Sequence, residues 1–267
     1  MGWETRIFFD LSGEQRDNAK QHLTLRNAAV ADCIVQGVQI NGCGASEQRR
    51  DDYVVLTKAC PGVTKIGIKA RSVRQEDDDL VLELKTVVRS KDEEDDELAY
   101  WIKSSQYYSK GNVSDKSLLL QFLSEQTKKH HLASMARDYL QDYPNNSVPI
   151  LRAHKERRRA WLDGLDVEET DIVFRLVHDN DVARGNSGNE NGAVPSDCCG
   201  PILLRSWAVE GNNQNESLAT IATTWHERFD RALSVANIDK ASPPRMWIAS
   251  YPAMVVHLSE MMMTKMT

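Results

Sequence analysis

The chain of 267 residues has no apolar run near the ~20 residues that a membrane-spanning helix needs, which excludes such a helix. It offers no secretory signal, because Glu4 and Arg6 interrupt any early apolar stretch. Arg6 stands where a myristoylation site wants Ser or Thr. Cysteine is scarce and odd in number, with five. Cys198 and Cys199 are adjacent in a Gly/Asn-rich stretch, and no other Cys or His stands at a metal-site spacing. Free thiols in a cytoplasmic protein are therefore expected. Internal repeats and βαβ alternation are also lacking, which argues against solenoids and doubly wound parallel sheets.

What is present is ordinary globular material, 41% apolar and 27% charged, with a net charge of −6. The charge is unevenly placed. Glu76–Asp79 and Asp92–Glu97 hold ten acids, and outside those two runs the balance is +4. Such runs are solvated loops, and the segments around them are basic and strand-like.

Period-two alternation and β-forming residues predict strands over 3–9, 51–57, 65–73, 80–89, 148–161, 167–177 and 202–210. Helices are expected over 14–35, 97–108, 114–143 and 216–237. Ser114 or Asp115 would cap the third, and Pro144-Asn145-Asn146 would end it. Residues 182–200, rich in Gly, Asn and Ser, read as a mobile loop. The fold class is α+β in one domain spanning 1–267, with a helical insertion near 111–147.

The strands carry a repeated charge placement. Alternation puts Lys69 with Arg71, Glu83 with Lys85 and Arg89, and Lys155 with Arg157 and Arg159 on shared faces. It also aligns Glu4 with Arg6, and Glu169 with Asp171 and Arg175. Two arrangements fit. An open sheet would show these residues to solvent as an ordinary charged face. A sheet closed into a barrel would turn them inward, where unpaired like charges are costly. A lumen of that kind calls for a polyanionic ligand. The run His154–Arg159 lacks interleaved aromatics, and the acidic loops would repel a phosphate backbone, which argues against nucleic acid. His130 and His131 read as surface residues, and Trp101, Trp207 and Trp247 as core.

The order of these pieces resembles the CYTH superfamily, the triphosphate tunnel metalloenzymes. The residues that carry the likeness are Gly2-Trp3-Glu4-Thr5-Arg6 for the opening acidic motif, Ile68-Lys69-Ala70-Arg71 for a strand with two alternating bases, and Glu83-Leu84-Lys85 for the next. Lys155-Glu156-Arg157 resembles a later basic strand, Asp171 an aspartate that follows it, and Ala208-Val209-Glu210 the last acidic strand. The closing Ala249-Ser250-Tyr251-Pro252-Ala253 is also similar to family endings.

The resemblance implies an antiparallel barrel, or tunnel, of seven or eight strands with flanking helices. It implies that Arg6, Lys69, Arg71, Lys85, Lys155, Arg157 and Arg175 hold the phosphates of a triphosphate or polyphosphate compound. Glu4 and Glu210 would hold Mg2+ or Mn2+, and Asp171 and Glu169 would act in hydrolysis by an attacking water. The chain departs from the pattern at Gly2 and Ala208, where the family has carboxylates, and at Arg6, where it has Lys. Glu83 and Glu169 stand as substitutes. The phosphate cradle is better kept than the metal site, so binding is expected more firmly than turnover. A non-catalytic polyphosphate sensor is the alternative, and a scaffold contacting a protein partner through the 114–143 helix is a third reading.

Overall fold

The alternating segments do form strands, and their register decides which side chains meet. The structure is a computed structural model that describes residues 2–11, 46–72, 80–90, 99–108, 111–162, 165–177, 201–211 and 246–264. The helices expected over 14–35 and 216–237, the loop over 182–200 and both acidic runs lie outside the described residues.

Nine strands are described: β1 (Gly2–Asp10), β2 (Glu47–Val54), β3 (Ile66–Ser72), β4 (Leu80–Ser90), β5 (Ala99–Tyr108), β6 (Ile150–Leu162), β7 (Leu165–Val177), β8 (Ile202–Gly211) and β9 (Met246–Ile248). Three helices accompany them: α1 (Lys116–Gln126), α2 (His131–Asp142) and α3 (Tyr251–Thr264). The class is α+β, as expected. The strands form one sheet in the order β5-β4-β3-β2-β6-β7-β8-β1-β9, and each described pairing is antiparallel. One edge of β1 is shared. Gly2–Glu4 pair with β5, and Ile7–Phe9 pair with β9.

Two expectations need correction. Residues 99–108 are a strand, not a helix. Trp101, Lys103, Ser105 and Tyr107 alternate with Ile102, Ser104 and Gln106, and ten register pairs with β4 settle the segment as β. The helix expected over 114–143 is two helices. Asp115 does cap the first, accepting from Ser117 N at 2.8 Å. The break falls at Thr127–His130, where His130 is buried, contrary to its reading as a surface residue, while His131 is exposed. The His130 ring bonds Thr86 Oγ1 at 2.7 Å through Nδ1 and Ser104 Oγ at 2.6 Å through Nε2. Burial, with Lys129 and His131 beside it, lowers its pKa.

The helical pair covers one face of β2–β4. Leu119, Phe122 and Leu123 of α1, and Leu132, Ala133, Ala136 and Leu140 of α2, pack on Ile66, Ile68, Leu82 and Leu84. Those residues stand at i, i+3, i+4 spacing, so each helix has one apolar stripe. The opposite face of the sheet is covered at one end by α3. Met254, Val255, Leu258 and Met262 pack on Phe8, Tyr53, Val55, Leu151, Ala153, Ile172, Phe174 and Leu204. That face is therefore mixed: apolar against α3 and charged beyond it. No helix among the described residues is long and apolar enough to cross a membrane.

Candidate functional site

Beyond α3 the charged half of that face encloses a cavity of about 380 Å³, within the range of small-molecule sites. Its floor is Tyr53, Tyr251 and Pro252. Tyr251 begins α3, and its ring stacks on Tyr53 at 5.7 Å between centroids. Gly67 of β3 lines the wall because a Cβ there would come within 2.8 Å of Pro252 Cγ.

Among the described residues, nine cationic side chains line the cavity: Arg6, Arg49, Lys69, Arg71, Lys85, Lys103, Lys155, Arg157 and Arg159. Three carboxylates join them, Glu4, Glu83 and Glu168. The alternation of seven strands brings them together, since residues two apart share a face. A fourth carboxylate, Asp51, is fully buried behind the lining. It accepts from Arg49 Nε and Nη2 at 2.9 and 3.0 Å, from Lys69 Nζ at 2.9 Å and from Lys155 Nζ at 2.8 Å.

Every one of these acids is already held by bases. Glu4 lies between Arg6 Nε, at 3.2 Å, and Lys85 Nζ. Glu168 takes Arg157 Nη1 at 3.1 Å and Thr170 Oγ1 at 2.9 Å, with Arg6 Nη1 at 3.4 Å. Glu83 takes Lys103 Nζ at 2.6 Å, with Lys69 and Arg71 at 3.3 and 3.4 Å. The cations act on the carboxyl groups accordingly. Burial alone would raise the Glu4 pKa, but Lys85 and Arg6 outweigh it and hold the group at about 2. Asp51 lies far below the usual carboxylate range, because Lys155, Lys69 and Arg49 outweigh its burial.

The lysines are moved the other way. Burial lowers Lys69 to about 7 and Lys155 to about 8, against the pull of Asp51. Lys155 Nζ also sits 3.9 Å from the Tyr251 ring centroid, and Arg6 Cζ 4.4 Å from it. The cavity thus holds more positive charge than its own acids balance, in a site where two lysines are near the edge of protonation.

Seven expected site residues line one cavity: Glu4, Arg6, Lys69, Arg71, Lys85, Lys155 and Arg157. Three do not. Glu169, Asp171 and Arg175 stand at odd positions of β7, whereas the cavity face carries Glu168 and Thr170. On the opposite face, Arg158 Nη1 donates to Glu169 at 3.0 Å, and Arg205 binds Asp171 through Nε and Nη2 at 2.5 and 2.8 Å. Trp207 Nε1 adds a bond to Glu169 at 3.2 Å. Arg175 is exposed and stands opposite Arg152 in the register. The Glu210 backbone pairs with that of Glu4, and its side chain lies outside the described residues.

The sequence reading missed Arg49, Asp51, Lys103, Glu168 and Tyr251. The alternation Arg49-x-Asp51-x-Tyr53 was visible but fell across the expected strand start. Lys103 was hidden by the helical reading of its segment. Glu168-Glu169 is a doublet, which leaves parity open.

The described cavity carboxylates Glu4, Glu83 and Glu168 do not by themselves form a Mg2+ or Mn2+ site, and the side chains of Glu210 and Asp166, which the register sets in line with Glu4, lie outside the described residues. A hard divalent ion wants several oxygens on one centre. Here each cavity acid faces two or more cations, and no three His, Cys, Asp or Glu residues gather in that way among the described residues.

No family model matches the chain. No curated protein matches it in sequence. Similar solved structures include HpAC1 of Hippeastrum, a candidate adenylyl cyclase with a dominant triphosphatase activity, at 10% identity and TM-score 0.38, covering 97% of this chain and 96% of that one. A chain of the Schizosaccharomyces pombe Mediator head module is similar at 9% identity and TM-score 0.36, over 87% and 94%. Scores of this size carry no functional weight, and the cavity itself carries the chemistry.

Proposed function

We propose that this cavity binds a triphosphate- or polyphosphate-bearing compound, without a bound metal ion and without turnover. The observation that carries the reading is the surplus of nine cations over the three lining carboxylates and Asp51 among the described residues of one cavity. Arg6 and Lys155 are buried and Arg49, Lys69, Arg71, Lys85 and Arg157 half-buried, and like charges so placed are costly unless neutralised, which an anionic ligand would do. Its donors come from β1 to β6 and surround the space, which suits a ligand with phosphate oxygens in several directions rather than one monoanion. Arginine forks at Arg6, Arg71 and Arg157 match paired phosphate oxygens, and Lys69, Lys85 and Lys155 supply point charges.

The strand order supports a closed tunnel as the frame. Its first member, β5, also pairs with β1 near its far end. In this reading the shared β1 edge closes an eight-stranded barrel, with α3 stopping one mouth.

Hydrolysis is left out of the reading because the described cavity acids Glu4, Glu83 and Glu168 are each held by bases. The test is a thermal melt with sodium tripolyphosphate, with and without Mg2+, followed by phosphate release on the same samples. A ligand at a hundred times its dissociation constant stabilises by about 2.7 kcal/mol. At about 2–4 °C per kcal/mol for a chain of this size, the midpoint rises by roughly 5–10 °C. The rise is expected without Mg2+, and phosphate is not released. No shift with tripolyphosphate overturns the binding reading. A shift that needs Mg2+, with phosphate release, replaces the sensor with a hydrolase.

A further inference from the structure

The four carboxylates of the cavity are not equivalent, and the difference bears on which phosphate compound the site prefers. Asp51 is fully buried, and both its oxygens accept formed hydrogen bonds. A ligand entering the cavity cannot displace it. Glu83 is different. It lies in the lining, on β4 between β3 and β5. Its Oε1 meets Lys103 Nζ at 2.6 Å. Its Oε2 stands 3.3 Å from Lys69 Nζ and 3.4 Å from Arg71 Nη2, yet that buried oxygen completes no hydrogen bond. Arg71 Nε is likewise buried without a hydrogen-bond partner. One wall of the cavity therefore holds three cations around a carboxylate that grips two of them by charge alone.

We infer that Glu83 is a specificity-determining residue of this site: an internal counter-anion that occupies Lys69, Arg71 and Lys103 until a phosphate group of sufficient charge takes them over. The inference rests on the polyphosphate reading above. A phosphate brings more charge and more acceptor oxygens than a carboxylate, and can satisfy the idle Arg71 Nε as well. The exchange still costs the Glu83 contacts. A short phosphate has to bear that cost with the whole of its binding. A longer chain also reaches Lys155, Arg157 and Arg6, and so sets that cost against more contacts. Glu83 thus sets a threshold that favours long, highly charged ligands over short ones.

The Glu83→Gln variant tests this. Affinities for orthophosphate, pyrophosphate and tripolyphosphate are measured by titration calorimetry at fixed pH and ionic strength. The wild type is expected to prefer tripolyphosphate over pyrophosphate by more than tenfold. Glu83→Gln is expected to gain at least tenfold for pyrophosphate and less for tripolyphosphate, so the preference narrows. A simple gain of positive charge predicts the reverse, because the more highly charged ligand gains more. The double variant Glu83→Gln/Lys103→Gln restores the wild-type net charge without the counter-anion. It is expected to keep the narrowed preference and also guards against misfolding of the single variant. A preference that widens, or that is unchanged in both variants, overturns the role of Glu83 while leaving the binding reading in place. Failure of the wild type and both variants to bind any of the three compounds overturns the binding reading itself, and this inference with it.

Discussion

Asp51→Asn is the substitution from which the structure predicts most. The wild-type carboxylate neutralises Arg49, Lys69 and Lys155, whose side chains are 14%, 17% and 5% exposed. The amide keeps the shape but removes the charge, and turns two N–H donors toward groups that are themselves donors. Removing one partner from a buried ion pair costs about 3–5 kcal/mol. At about 2–4 °C per kcal/mol, the melting midpoint is expected to fall by roughly 6–20 °C near pH 6, where both lysines are charged. The size of the fall is itself pH-dependent. Lys69 and Lys155 lose protons near 7 and 8 in the intact protein. Without Asp51 to hold those protons, both values drop further, so by pH 9 the pocket carries little lysine charge and the penalty shrinks to that of the broken Arg49 pair and the lost hydrogen bonds. The assay is calorimetric melting of wild type and variant at pH 6 and pH 9. A variant within 2 °C of wild type at pH 6 would refute the view that Asp51 is what permits these cations to be buried. An equal loss at both pH values would refute the assignment of the pH-dependent cost to the two lysine charges.

The lysines also make ligand binding proton-linked. A polyanion beside Lys69 and Lys155 raises both pKa values, so binding takes up protons above pH 7. Tripolyphosphate affinity is expected to fall as pH rises from 7 to 9, and calorimetry in buffers of different ionisation enthalpy reads the protons taken up. An affinity flat over that range rejects the linkage. Gly67→Ala is expected to lower the midpoint by about 5 °C, because its Cβ would meet the rigid Pro252 ring at 2.8 Å, and overpacking of this kind costs about 1–3 kcal/mol. Adding Pro252→Ala should recover part of that loss.

Seven of the nine described strands were legible because each has its own alternation, whereas β5 was read as a helix and β9 was not expected. Lys69–Arg71 and Glu83–Lys85 each fall on a single face in the sequence, and both pairs line the cavity. What misled was the assumption that each strand has one polar and one apolar face. In β7 the inner face runs Glu168, Thr170, Ile172, Phe174, polar at one end and apolar at the other. β6 does the same, from Leu151 and Ala153 to Lys155 and Arg157. The change falls where α3 stops covering the sheet, a contact made by residues far away in the chain and invisible to local periodicity. Arg157-Arg158-Arg159 and Glu168-Glu169 then offered a base or an acid to either face. The register of β6 against β7 resolved them, and no stretch of the chain read alone carries that register.

The division of β1 between two neighbours also governs how the chain reaches this fold. Ile7–Phe9 lie beside Met246–Ile248, and Gly2–Glu4 lie beside Ala99–Trp101, so the first strand takes partners from the middle and from the far end of the sequence. β1 meets β5 from within the first half of this chain, but its apolar Ile7, Phe8 and Phe9 are completed only by β8, β9 and α3. Contacts so distant in sequence make folding slow and leave intermediates exposed to wrong pairings.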